Sequence, residues 1–232
     1  DNSFNTGDEF VLNWSLDQAD DFNEINIFMS YDSLENTYLI FNSSELITST
    51  NVILSDSIIT DYASVIINVS DMFNNIGSDT TNFFSIIDNI NPFIEVIRPE
   101  EGFSIVENEP FELEWIHSDN IGVTSNIFEY LINDQDYDTL LVITEPLEET
   151  FQNVTINEVK NNTKIRGTAM DASGNTFTSF SGLFSVTDGT PPSINLLNLN
   201  EDSILGIGSS LNIAWNDTDN VGGEFIDIYY KT

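Results

Sequence analysis

The chain contains no cysteine. Disulfides, thiolate chemistry and sulfur-ligated zinc are therefore excluded. Basic residues are nearly as scarce: Arg98, Lys160, Lys164, Arg166 and Lys231 stand against 39 acidic residues, for a formal net charge of −34. Five cations cannot neutralise a phosphate backbone or hold an anionic membrane surface, which removes nucleic acid and lipid headgroups as partners. No apolar run approaches the roughly 18 residues of a membrane helix, so no direct membrane insertion is expected within this segment. No leader peptide opens the sequence, which puts any such segment outside these residues. No stretch keeps a 3.6-residue apolar period, so helices are not expected. What is present is 40% hydrophobic and 12% aromatic residues, enough to build cores. A length of 232 residues suits about two ordinary domains. The excess negative charge repels itself unless cations bind, which favours surroundings rich in divalent ions or salt.

Self-similarity organises the chain. Trp14, Trp115 and Trp215 stand 101 and 100 residues apart. Each closes an alternating apolar run: Phe10, Leu12, Trp14; Phe111, Leu113, Trp115; Leu211, Ile213, Trp215. Residues two apart share one face of a β-strand. Phe84-Ser-Ile-Ile-Asp88 returns as Phe184-Ser-Val-Thr-Asp188, Asp71-Met-Phe-Asn-Asn75 as Asp171-Ala-Ser-Gly-Asn175, and Pro92 as Pro192. The chain reads as a tandem array with a period of about 100 residues.

The middle unit, 89–188, reads as complete, with strands near 92–98 (A), 110–116 (B), 125–132 (C), 140–144 (C′ or D), 150–156 (E), 163–170 (F) and 177–186 (G). Turn signals at 99–102 and 133–136 separate them. Seven short antiparallel strands in about 100 residues indicate an all-β immunoglobulin-like sandwich. Unit one, 1–88, lacks the first strand of this plan. Unit three, 189–232, contains only strands A–C. Half a sandwich exposes a core face and free strand edges. The 232 residues are therefore expected to be part of a longer chain; completion of the open half by a strand from another chain is the alternative.

Strand B ending in apolar-x-Trp, a Tyr late in strand C (Tyr31, Tyr130, Tyr230) and the Asp-x-x-Gly-Asn turn at 171–175 resemble fibronectin type III modules and the tandem Ig-like repeats of prokaryotic surface proteins. Those repeats occur in adhesins, S-layer proteins and extracellular filaments. The resemblance implies spacing, display and adhesion at the cell surface, with other copies or surface-layer proteins as partners. It implies no reaction. Unit one departs from it with Asp-Met-Phe-Asn-Asn at 71–75, where a distorted turn is expected.

The loops after strand B are acidic: Asp17, Asp20 and Asp21 in unit one; Asp119 and Asn120 in unit two; Asp217, Asp219 and Asn220 in unit three. In this sandwich the B–C loop, the F–G loop and the linker from the preceding unit lie at one end. Asp88, Asp119 and Asp171 are thus expected to converge, with Asn120 beside them and Asp188, Asp217 and Asp219 repeating the arrangement at the next junction. Hard cations take six to eight oxygens of these types, so calcium is the candidate cofactor. Ordinary turn chemistry of Asp and Asn is the competing reading.

Sequons at Asn13, Asn42, Asn68, Asn153, Asn161 and Asn216 are candidate glycosylation sites, though a chain rich in Asn, Ser and Thr produces about this many by chance. The Trp residues are assigned to cores, and His117 to a loop. No phosphate loop, nucleophile elbow or His-rich metal motif points to catalysis. The expectation is a non-enzymatic structural or adhesive segment; the alternative is an accessory carbohydrate- or ligand-binding module of a secreted enzyme.

Overall fold

The computed structural model describes residues 3–16, 20–133, 135–144, 150–198, 204, 206–222 and 225–229. Among these every regular element is a strand, and no helix is long and apolar enough to cross a membrane. Asp17 and Tyr230 lie outside the described residues.

Unit one consists of β1 (Ser3–Asn5), β2 (Glu9–Asn13), β3 (Phe22–Ser30), β4 (Tyr38–Ser43), β5 (Ser49–Ile53), β6 (Thr60–Asp71), β7 (Ile76–Thr80) and β8 (Phe84–Ile87). Unit two consists of β9 (Phe93–Arg98), β10 (Ser104–Val106), β11 (Phe111–Ser118), β12 (Val123–Leu131), β13 (Tyr137–Thr144), β14 (Phe151–Val154), β15 (Lys160–Thr163), β16 (Ile165–Asp171), β17 (Thr176–Phe180) and β18 (Phe184–Thr187). In the third unit the described residues form β19 (Ser193–Leu196) paired with β20 (Trp215–Thr218).

Unit two is a two-layer sandwich. One layer runs β14-β11-β9 and the other β13-β12-β16-β17, with β15 and β18 continuing the second layer past a break. This order, E-B-A against C′-C-F-G, is the immunoglobulin-like arrangement. Ile94, Val96, Leu113, Trp115, Phe128, Ile165 and Phe184 fill the space between layers. Trp115 is 0% exposed and its ring lies 4.7 Å from that of Phe128 across the core. Its indole Nε1 donates to Asn126 Oδ1 at 3.2 Å, and that oxygen also accepts from His117 Nδ1 at 2.6 Å. His117 thus belongs to strand β11 and orients a buried amide; it is not a loop residue.

Two features of unit two depart from the sequence reading. The last strand is broken at 181–183, where Gly182 passes so close to Glu101 that a Cβ would lie 2.3 Å from its backbone nitrogen. The short strand β10, not foreseen, pairs parallel with β18, Ser104 opposite Ser185. In unit one β1 pairs parallel with β8 in the same register, Ser3 opposite Ser85. The first described strand of unit one therefore corresponds to β10, and among the described residues unit one has no counterpart of β9. A separate core gathers Ile25, Ile27, Met29, Val52, Val65 and Ile86.

The unit-one turn at 71–75 is not distorted. Asp71 N donates to Asn75 O at 3.1 Å, as Asp171 N does to Asn175 O at 3.1 Å. Asn74 takes φ 64° where Gly174 takes φ 90°. Asn tolerates the left-handed region, which is why the substitution leaves the turn intact.

Candidate functional site

The junction between units one and two brings three carboxylates together. Asp88 follows β8, Asp119 follows β11, and Asp171 ends β16. One carboxylate oxygen from each lies within 4.8 Å of the others. Each side chain is held by a different local device.

Asp119 Oδ2 accepts the backbone N–H groups of Ile121 at 2.9 Å and Gly122 at 2.8 Å, the turn that Asp makes by preference. Its Oδ1 is buried and has no hydrogen-bond partner. Asp171 Oδ1 accepts Asn175 N–H and Oδ2 accepts Asn175 Nδ2, both at 2.8 Å. Burial raises the Asp171 pKa, but the hydrogen bonds from the Asn175 side chain and from the N–H groups of Asn175, Gly174 and Ser173 outweigh it and hold the carboxyl below its ordinary value. Asp88 is 8% exposed. Its Oδ1 accepts from Thr6 Oγ1, Ile90 N–H and Asn120 Nδ2, each at 3.2 Å, while Oδ2 is buried without a partner.

Asn120 ties the units together directly. Its Nδ2 donates to Asp88 Oδ1 and to the backbone carbonyl of Asp56, both in unit one. Its Oδ1 is a third buried oxygen without a partner. Asn175 Nδ2 adds a bond to the Asp88 carbonyl at 3.3 Å. A cleft of about 490 Å³ bounded by Thr60, Ile86, Asp88 and Ser173 opens beside the cluster. Buried polar oxygens are costly unless something donates to them or coordinates them. Asp88 Oδ2, Asp119 Oδ1 and Asn120 Oδ1 are three such oxygens, two of them on the carboxylates that converge with Asp171.

The second junction is only partly similar. Asp219 Oδ2 accepts Val221 N–H at 3.3 Å and Gly222 N–H at 2.9 Å, and its Oδ1 is buried and unpartnered, as for Asp119. Asp188 Oδ1 accepts Thr190 N–H at 2.9 Å. Asp217 does not join them: it lies exposed on β20 opposite Ile194. Glu107, which sequence reading missed, is buried there and accepts from Thr190 Oγ1 and Asn220 Nδ2. The Thr190 hydroxyl is the main influence holding its carboxyl below the ordinary value. Its counterpart in unit one is Thr6, so no repeated acid signalled it.

Asn175 and the Asp56 carbonyl were also missed as site elements. The Asn at the end of both turn motifs was the available signal; nothing in sequence marks a backbone carbonyl. Of the sequon asparagines, Asn13, Asn42, Asn153, Asn161 and Asn216 are exposed, whereas Asn68 is half-buried and accepts from Ser78 Oγ at 2.7 Å.

No family model matches the chain, and no curated protein matches it. Solved structures similar to it include the fibronectin(III)-like modules of Clostridium thermocellum CbhA, at 10% identity over 80% of this chain and 89% of that one, TM-score 0.37. DIP-gamma IG1+IG2 matches at 9% identity, 79% and 92% coverage, TM-score 0.38. The FN1–FN3 domains of chicken CNTN1 match at 12% identity, 83% and 68% coverage, TM-score 0.37. What those proteins do is theirs alone. The sandwich assignment of this chain rests on its own strand order.

Proposed function

We propose that the protein is a non-enzymatic structural or adhesive segment of an extracellular tandem-repeat surface protein. It acts as a spacer or assembly module of a surface layer, stalk or filament, and calcium braces its unit junction. The observation that carries this reading is the convergence of Asp88 from one unit with Asp119 and Asp171 from the next, where Asp88 and Asp119 each keep one buried oxygen without a hydrogen-bond partner.

The donor set fits calcium. Oxygens bound at about 2.3–2.6 Å on opposite sides of one ion are about 5 Å apart, which is the spread of the three carboxylates. Carboxylate and amide oxygens are the hard ligands this ion takes, and water completes its shell. The structural consequence follows from where the ligands come from. Without a cation three carboxylates repel across the junction, against which stand the Asn120 and Asn175 hydrogen bonds. With one, both units share a ligand shell.

The test is calorimetric titration of calcium into residues 1–232, against sodium at matched ionic strength. Binding in the extracellular range of about 10⁻⁴–10⁻³ M is expected. Asp119→Asn removes one charge, keeps an oxygen to accept the Ile121 and Gly122 N–H groups and puts an NH2 in place of the unpartnered Oδ1, and should weaken binding about tenfold or more. Heats equal to those of the sodium control would remove calcium from this reading.

A further inference from the structure

The outer face of the sheet β4-β3-β6-β7 in unit one carries a row of amides. Strand pairing sets Asn42 opposite Asn26, Asn26 opposite Asn68 and Asn68 opposite Ser78. Directly paired residues share a face, so these hydrogen-bonding side chains cross the sheet in one line. Their pitch is the strand separation, about 4.8 Å. Leu39, Phe28, Ile66 and Thr80 form the next row on one side, and Glu24, Ser70 and Ile76 lie on the other. Glu24 is the one charged residue in these rows, on a chain of net charge −34.

Unit two lacks this surface. Its equivalent positions are Val142, Ile127, Thr168 and Thr178, beside a row of Thr139, Glu129, Arg166 and Phe180. There the two threonine hydroxyls bond each other at 3.0 Å, and Arg166 pairs with Glu129 at 2.6 Å. Val, Ile and Thr favour strands, whereas Asn is depleted in them. Unit one thus places strand-disfavouring residues in register where unit two has favourable ones. Little inside the fold uses their amides. Among the described residues the Asn26 and Asn42 side chains have no hydrogen-bond partner, and Asn68 Oδ1 accepts only from Ser78 Oγ, at 2.7 Å. A local preference broken without internal compensation is the mark of a functional surface.

We propose that this face binds a neutral, extended polysaccharide lying across the strands. An amide offers donor and acceptor together, which suits the neighbouring hydroxyls of a sugar ring. The advance per ring of a β-1,4-linked glucan is close to the strand separation, so successive rings meet Asn42, Asn26 and Asn68 in turn. The apolar ring faces rest on the adjoining strip of Leu39, Phe28 and Ile66, giving the combination of apolar area and a few placed polar groups that small-molecule sites share. An uncharged face selects an uncharged polymer, and the 39 acidic residues repel an anionic one. The site shares no residue with the junction and stands whether or not calcium binds there.

The experiment titrates cellohexaose into residues 1–232 and follows the Asn26, Asn42 and Asn68 side-chain amides by NMR. Maltohexaose, the same sugar in a coiled α-linkage, is the control. The comparison variant copies the unit-two row: Asn26→Ile, Asn42→Val and Asn68→Thr. Cellohexaose should shift the three amides and maltohexaose should not. The variant should bind cellohexaose about tenfold more weakly or worse, while its unit-one melting temperature rises by about 2 °C or more, because strand propensity improves. Lost binding in a more stable protein separates recognition from folding. Unshifted amides at millimolar cellohexaose, or equal binding by the variant, would overturn the proposal. So would a dimer that forms without sugar and that the variant dissociates, which would make the face a contact between copies. A glycan found by mass spectrometry on Asn42 or Asn68 of the native protein would overturn it too, since the row would be covered. None of these results alters the calcium titration at Asp119.

Discussion

Trp115 and Trp14 occupy equivalent sequence positions, yet their surroundings differ. Trp115 is fully buried, packed on Phe128 and hydrogen-bonded to Asn126. Trp14 is half-buried and its Nε1 is unpartnered. Trp115→Ala should therefore cost about 3–5 kcal/mol, lowering the unit-two melting transition by more than about 10 °C in calorimetry. Trp14→Ala should cost clearly less in the unit-one transition. Asp171 supports a pH prediction. Its folded pKa lies below the ordinary 3.8, so its carboxylate stabilises the fold fully above that value, and the stabilisation fades as pH falls through the lower folded one. Asp171→Asn should flatten this acid limb. Urea midpoints measured in chelator across the acid range would show it; an unchanged limb would place the pH dependence elsewhere. The repeated spacing of Trp and Asp within the chain made these residues legible in the sequence. The orphaned oxygens were not legible, because satisfaction of a polar atom depends on neighbours from several strands and from the other unit.

At the scale of elements, periodicity located the principal strands of unit two because each alternates apolar and polar residues over a half-buried sheet. It missed β10, whose three residues are too few to show a period, and it ran through the break before β18, which is set by the approach of Gly182 to Glu101. The turn at 71–75 shows a different limit: a motif mismatch was read as distortion, but Asn74 adopts the conformation that Gly174 provides. Close packing of β9 against β16 gives a direct test. Gly167→Val places a branched side chain where Val96 and Phe128 already sit and should destabilise unit two by about 1–3 kcal/mol. Chemical denaturation of that transition checks it, with a change under about 0.5 kcal/mol as the contrary result.

Over the whole molecule, the charge and the junction belong to one argument. Among the described residues Arg98 pairs with Glu112 and Glu114, Lys160 with Glu158 and Arg166 with Glu129, while Lys164 lies over the Phe180 ring. None of these cations reaches Asp88, Asp119 or Asp171. Among the described residues no cation neutralises this junction, and the proposed ion, shared by both units, would set their angle as well as their charge. Stability should rise with calcium as RT ln(1 + [Ca]/Kd). The most direct measurement is small-angle X-ray scattering of residues 1–232 in millimolar calcium and in chelator, both at sodium-matched ionic strength. A calcium-braced junction predicts a narrower distribution of dimensions, with a larger maximum, in calcium, and loss of that difference in Asp88→Asn. Identical scattering in calcium and chelator would contradict it.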